Sequence, residues 1–380
     1  MKRAGVTAVI VVTAVFVVLV GIRATLGTGD RLEDRTTDPK LPASVLETVA
    51  DLEYPPGNIA VSSTGRVFIT LHPDGGPPIS VAELVDGKPV PYPNEAYQKK
   101  TDGIPYFQSI LSIRIDRRER LWVLDHARYG RGQPRILAFD LGSGDLVHQH
   151  DLPSDVAGLG SMLNDLQISP DGSMIYIAET SPLIHTPALI VYDVEAGKSR
   201  RVLDGHPSVQ AANYVIQTPE RDMIAFGLVN MRIPVDSIAL DTNGEWLYYG
   251  PVTGDRMYRI LAADLDDEAL TDEQLGERVE DFGPKTLSDG LTMDLEGNIY
   301  LSDMEHSAVV VLTPERELET LVKDPMLRWP DGFSFGPDGW LYVTCSALQH
   351  VLFVGKKHMR EHAPYQVYRF KPGPVGVPGH

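Results

Sequence analysis

The sequence predicts an all-β chain folded as a six-bladed propeller behind an N-terminal apolar helix. Three observations carry that expectation. First, a strand–turn–strand unit recurs. In its clearest copy, residues 329–344, Phe333 and Phe335 alternate with small residues and Pro337-Asp338-Gly339 supplies turn chemistry; Leu341 to Thr344 then suit a pleated surface. Second, further copies span 287–303, 235–249 and 164–178, and looser ones 110–124 and 58–70. They recur roughly 40 to 70 residues apart, as expected of a blade repeat with insertions. Third, no second linker interrupts residues 45–370. Six copies therefore belong to one ring, inside the range of about 4 to 8 blades that propellers adopt.

Taken in order, the chain opens with Lys2 and Arg3 and then an uncharged apolar run, 4–22. A run of about 17 to 25 residues is long enough to cross a bilayer, and the flanking basic residues keep its start cytoplasmic. The run exceeds the usual signal-peptide core of about 7 to 15 residues and no clean cleavage site follows. Residues 1–23 are therefore expected to be a signal anchor, with a cleaved signal peptide as the alternative. Either places the rest outside the cytoplasm: periplasmic, cell-surface or secreted, and tied to the membrane through the N-terminal helix. Residues 24–44 read as a flexible tether, 45–372 as the propeller and 373–380 as a tail. The last hairpin copy has only three strands of its own. A strand within 45–52 is expected to supply the fourth, closing the ring and removing free edges.

Net charge is −18, from 52 acidic and 34 basic residues. No basic stripe interleaves with aromatics, so nucleic acid is excluded as a partner class. The single cysteine, Cys345, cannot form an intrachain disulfide and sits on an expected strand as a small apolar residue. A monomer is expected. Residues 206–234 form a long connection of the kind that is functional or packs a flank. The acidic stretch 264–280 reads as a solvated helical turn or loop.

In a propeller the inner strands line the axis and the residues just before them gather at one mouth. Four such strands here are preceded by Asn164 with Asp165, Asp236, Asp289 and Asp331. Converging carboxylate and amide oxygens suit Ca²⁺ or another divalent cation, and close carboxylates raise one another's pKa enough to act as acid or base. The plainer role for each is to cap its own turn. Asp165, His185 and Arg232 are the candidate catalytic groups, with His72 and His126 as further possible bases. Arg232 has two roles open to it, a substrate carboxylate or a salt bridge to Asp236. No phosphate loop, nucleophile elbow or zinc-protease motif occurs, and no organic cofactor is expected.

The segments 188–193, 236–249, 288–303 and 324–344 resemble the yellow/major royal jelly protein family over most of residues 52–372. More distantly the chain resembles the gluconolactonase/senescence-marker propellers. The first resemblance implies a six-bladed ring with a ligand-binding channel. The second implies a divalent metal there, held in part by a first-blade glutamate; here that place reads Tyr54-Pro55-Pro56-Gly57, without an acid. This chain also lacks the disulfide cysteines of insect members and so resembles a bacterial relative. Two functions follow as expectations: binding of a small organic molecule in the channel, or a metal-dependent lactonase or tautomerase at the same mouth.

Overall fold

The computed structural model describes residues 13, 15, 17–181 and 186–380. They form six four-stranded antiparallel sheets arranged as the blades of a propeller. The inner strands are Pro56–Val61, Ile110–Ile115, Leu163–Ile168, Val235–Leu240, Leu291–Met293 and Pro330–Phe335, for blades 1 to 6 in that order. Each is almost wholly buried because its two faces meet neighbouring blades. That is why these segments are largely apolar, with polar residues at their starts and a few buried ones further along, such as Arg114, Gln167 and Ser334.

The ring closes through its N-terminal strand. Glu47–Leu52 pairs antiparallel with Tyr365–Phe370 and completes the sheet whose inner strand is Pro330–Phe335. Closure by a strand from the far end of the chain leaves no blade with a missing member and ties the two ends of the domain together.

Two terminal segments differ from a flexible tether and a free tail. The stretch read as a tether lies along the ring. Arg35 donates to the Asp255 and Lys285 carbonyls at 2.8 and 2.7 Å, and the Lys40 and Leu41 N–H groups bond the Thr320 and Leu321 carbonyls. The edge of blade 5's outer strand, Leu318–Lys323, offers unpaired backbone groups, and this polar segment satisfies them. The C-terminal tail turns back under the ring. Its Val375 and Gly379 carbonyls accept from Leu295 and Ile115, and its His380 carbonyl accepts from Phe335. His380 Nδ1 lies 3.3 Å from Gln167 Oε1. Val377 and His380 also line one depression with Ala239 and Leu240. The tail thus touches inner strands or their turns from blades 2 to 6 and closes the end of the channel opposite the mouth.

The acidic stretch carries two short helices, Ala262–Asp266 and Asp272–Gly276, the second with a Thr271/Gln274 capping box. Cys345 is buried and free, and burial pushes its thiol pKa up. Residues 17–26 are helical. Most of the apolar run 4–22 lies outside the described residues, and among those described no helix is long and apolar enough to cross a membrane.

Candidate functional site

Inner strands all begin at the same face, and five of the six begin with a register shift against their second strand. The shifts fall between residues 56 and 59, 110 and 112, 163 and 166, 235 and 238, and 330 and 333. A bulge there adds a residue and re-aims the side chains at the strand start, as bulges beside functional sites commonly do. Hydroxyls from second strands take up backbone N–H groups at the strand starts, both in bulged blades 1 and 6 and in blade 5, whose inner strand carries no such shift. Thr70 accepts from the Asn58 N–H, Ser302 from Asp289 and Gly290, and Thr344 from Gly332. Thr70 and Thr344 pass their own protons to the Leu111 and Gly57 carbonyls of the next blade.

With those N–H groups occupied, the carboxylates at the strand starts have few local donors and converge on the channel. Blades 1 to 3 are neutralised. Arg114, 1% exposed, pairs with Asp165 at 3.1 Å and also bonds the Asn58 amide. Ser112 donates to Asp165 at 2.6 Å. Among the described residues the carboxylates of blades 4 to 6 have no such ion pair, although Lys285 acts on Asp289. Asp236 accepts from the Asn164 amide, Asp331 from the Ser346 hydroxyl, and Asp289 from the Trp329 indole at 2.6 Å. Burial, then mutual repulsion with Asp289, Asp331 and Asp165, holds the Asp236 carboxyl well above its ordinary range. Burial and Asp289 do the same to Asp331. Asp331 is partly accessible yet surrounded by protein, as befits a group looking into a channel. Burial pushes Asp289 up to about 6 against the pull of the Trp329 hydrogen bond.

Two further titratable groups border this ring. Lys285 is buried and bonded to the Thr286 carbonyl and Ser288 hydroxyl, and burial lowers its pKa to about 7. Burial pushes Glu305 up to about 7, although it accepts the Gln217 N–H. That bond belongs to the long connection 206–234, whose Ile216 and Met223 pack with Met304, Trp329 and Leu348 in one apolar cluster. The connection therefore crosses the mouth face over blades 5 and 6.

The histidines fare differently. His126 accepts the Tyr129 N–H at Nδ1, and burial drives its pKa to about 3, too low for a base near neutral pH. His72 is likewise lowered by burial. Beside His126, residues 127 to 130 all adopt left-handed backbone, with φ of 51, 56, 60 and 66°. Three of these are not glycine, and each such residue costs about 1–2 kcal/mol. Asp125 holds the turn by accepting the Gln108, Ser109 and Ala127 N–H groups. Arg232 is exposed and donates to the Thr28 carbonyl at 3.3 Å, away from the carboxylates; neither role expected of it is seen. His185 lies outside the described residues.

A ring of six bladed sheets with an acidic mouth fits several propeller families, and the sequence decides among them. Residues 108–352 match the family model described as "Major royal jelly protein". The chain belongs to the major royal jelly protein family. Relatives in that group include major royal jelly protein 3 of Apis mellifera, 25% identical over 278 residues, covering 67% of this chain and 48% of that protein. Protein yellow of Drosophila subobscura is 23% identical over 295 residues, covering 69% and 50%. The chain thus spans about half the length of these relatives. Among solved structures, the calcium-binding protein regucalcin from Agrobacterium tumefaciens superposes with a TM-score of 0.51 at 14% identity, over 89% of this chain and 97% of that one, a likeness of fold.

Asn58, Ser112, Arg114, Lys285, Trp329 and Glu305 escape a reading based on acids before strands. A signal was available for Arg114, a charge between Ile113 and Ile115 in an otherwise apolar strand. The hydroxyls too repeat visibly, at the same place in Val67-Phe68-Ile69-Thr70, Ile299-Tyr300-Leu301-Ser302 and Leu341-Tyr342-Val343-Thr344.

Proposed function

We propose that this major royal jelly family propeller works outside the cytoplasm as a binding protein, taking a small organic ligand at the acidic mouth together with a divalent cation. One observation carries the reading: Asp236, Asp289 and Asp331 are enclosed around one channel, where burial lifts all three and Asp289 raises the other two further, with an amide, an indole and a hydroxyl bonded to them. Lys285 acts on Asp289, but the set still holds more carboxylates than cations, and a hard, oxygen-seeking cation would supply the difference. Asn164, Asp236, Asp289 and Asp331 would hold the ion; when bound, it offers an electrostatic anchor for a ligand carbonyl or hydroxyl. Trp329 keeps Asp289 in place, and the 206–234 connection shields the site from bulk water. The calcium-binding regucalcin shares the ring architecture, which makes the reading natural without requiring it.

A second reading, acid–base chemistry of lactone hydrolysis or tautomerisation, draws on Lys285 and Asp289. Both titrate close to neutral and sit near enough to influence each other. The deciding experiment is elemental analysis of the purified chain, followed by thermal shift with Ca²⁺ and a panel of lactones and aromatic amines. Ligand stabilisation that requires Ca²⁺ and yields no product supports binding. Lactone turnover lost in Asp289→Asn selects the enzyme. No Ca²⁺ response overturns the cation. Cell fractionation tests location: recovery of the chain from the cytoplasm overturns the export reading.

A further inference from the structure

Away from the channel, three histidines meet in the insertion between the second and third strands of blade 6. His358 lies in the short helix Lys356–Glu361 and His362 caps its end, four residues on and so on the same face. His350 closes the 3₁₀ turn Leu348–His350 beneath them. One ring nitrogen from each lies within 4.8 Å of the others, and His350 Nδ1 is 3.2 Å from His358 Nε2. In a tetrahedral site with metal–nitrogen bonds of about 2.0–2.1 Å, ligand nitrogens stand about 3.3 Å apart. We propose that His350, His358 and His362 form a binding site for a first-row transition metal ion, zinc foremost, separate from the acidic mouth.

The outer hydrogen bonds fit that role. His350 Nε2 is 2.7 Å from Glu220 Oε2, so its N–H points at the carboxylate and the Nδ1 lone pair points into the cluster. His362 Nδ1 is 2.8 Å from the His358 carbonyl oxygen, which leaves its Nε2 lone pair free. A carboxylate or a backbone carbonyl on the far nitrogen is the usual arrangement behind a metal-bound imidazole. The rings are stacked, with His350 and His362 centroids 3.8 Å apart and His358 and His362 4.1 Å apart. Ligation needs them to swing apart about their side-chain torsions. His358 and His362 are only half-buried and have room to do so, whereas His350 is buried and fixed by Glu220. Three imidazoles select zinc, copper or nickel over calcium, so the two sites sort different ions.

Glu220 belongs to the connection that crosses the mouth, and Arg221 beside it donates to the Leu352 carbonyl at 2.6 Å. An ion on His350 would therefore fasten that connection to blade 6. The test uses the full chain with any polyhistidine tag removed and stripped with chelator. Zn²⁺ is titrated calorimetrically with excess Ca²⁺ present, and Co²⁺ is followed by its visible absorption. The expected result is a single zinc equivalent per chain, with a tetrahedral cobalt spectrum. Binding is lost in His358→Ala/His362→Ala, whose melting temperature without metal stays close to the parent's. Glu220→Gln should weaken affinity about 10–100-fold, the usual effect of removing an outer partner. Zinc uptake that is absent in the parent, or equal in the parent and the double variant, overturns the site.

Discussion

Aspartates stand at both ends of the inner strands, and the two ends treat the same side chain in opposite ways. At the far end, in the hairpin turns, Asp116 accepts from the Arg118 and Arg120 N–H groups and the Trp122 indole, and Asp294 from the Glu296 and Asn298 N–H groups and the Tyr300 hydroxyl. Asp171 is bonded by Ser169 and Ser173 and falls to about 2. At the mouth, Asp236, Asp289 and Asp331 are held up instead. The difference lies in the backbone. A tight turn leaves N–H groups free and a carboxylate claims them. At the mouth the strand-start N–H groups of blades 1, 5 and 6 are taken by Thr70, Ser302 and Thr344. A carboxylate left with few donors is then available for something that is not part of the chain.

The sharpest way to break this comparison is Arg114→Met. It leaves Asp165 without its buried counter-charge, and losing one partner of such a pair costs about 3–5 kcal/mol. Urea unfolding should show a loss of that size; a loss under about 1 kcal/mol would mean that Asp165 is solvated or protonated.

Asp289→Asn should act the other way. The folded carboxyl has a pKa of about 6, above its ordinary 3.8. Below the lower value both states hold the proton and nothing is lost. As pH rises through about 4 to 6 the unfolded chain releases its proton first, so the native state loses stability, on the order of 3 kcal/mol for this group. The amide keeps an acceptor for Trp329 but does not titrate. The variant should gain on the parent as pH climbs from about 4 to 6 in metal-free buffer and hold that gain above about 6. It should also lose stabilisation by Ca²⁺. Parallel pH–stability curves would remove Asp289 from the strained set.

Thr344→Val keeps the shape and strands the Gly332 N–H and Gly57 carbonyl. Leaving buried groups unpaired should cost about 1–3 kcal/mol in chemical denaturation. Thr344→Ser should restore most of it. The smallest effect belongs to a turn. Asp241 accepts from the Glu245 and Trp246 N–H groups at a partly exposed site. Asp241→Ala should cost about 1 kcal/mol and leave any Ca²⁺ response unchanged, since turn aspartates do not face the channel. A changed response would merge the two classes of aspartate.

The ring was legible in the sequence because its signals are local. Alternation marks the strands and turn residues such as Pro170-Asp171-Gly172, Asn243-Gly244 and Pro337-Asp338-Gly339 mark hairpins, and counting strands reveals that one blade needs a partner from the N-terminal side. The position of Asn164, Asp236, Asp289 and Asp331 followed from symmetry, since equivalent places in a repeat fall on one circle. What symmetry does not convey is pairing. Arg114 reaches from blade 2 to Asp165 on blade 3, and nothing within either strand announces that contact. The polar segments before residue 45 and after 372 looked free because composition says nothing about which sheet edge will accept their backbone. The histidine group was hidden for the same reason: His350 meets His358 and His362 only after an irregular loop has turned back on itself.

The tail beneath the ring has a consequence for exchange. A ring stoppered at one end is a cup, and under the proposed binding function a ligand would enter and leave over the same rim. Arrival and departure then share a single gate, the 206–234 connection pinned by Gln217, Arg221 and Glu220. A gate that does not touch the guest scales both rate constants alike. Loosening those pins would make a slow container into a fast one while its affinity stayed where it was.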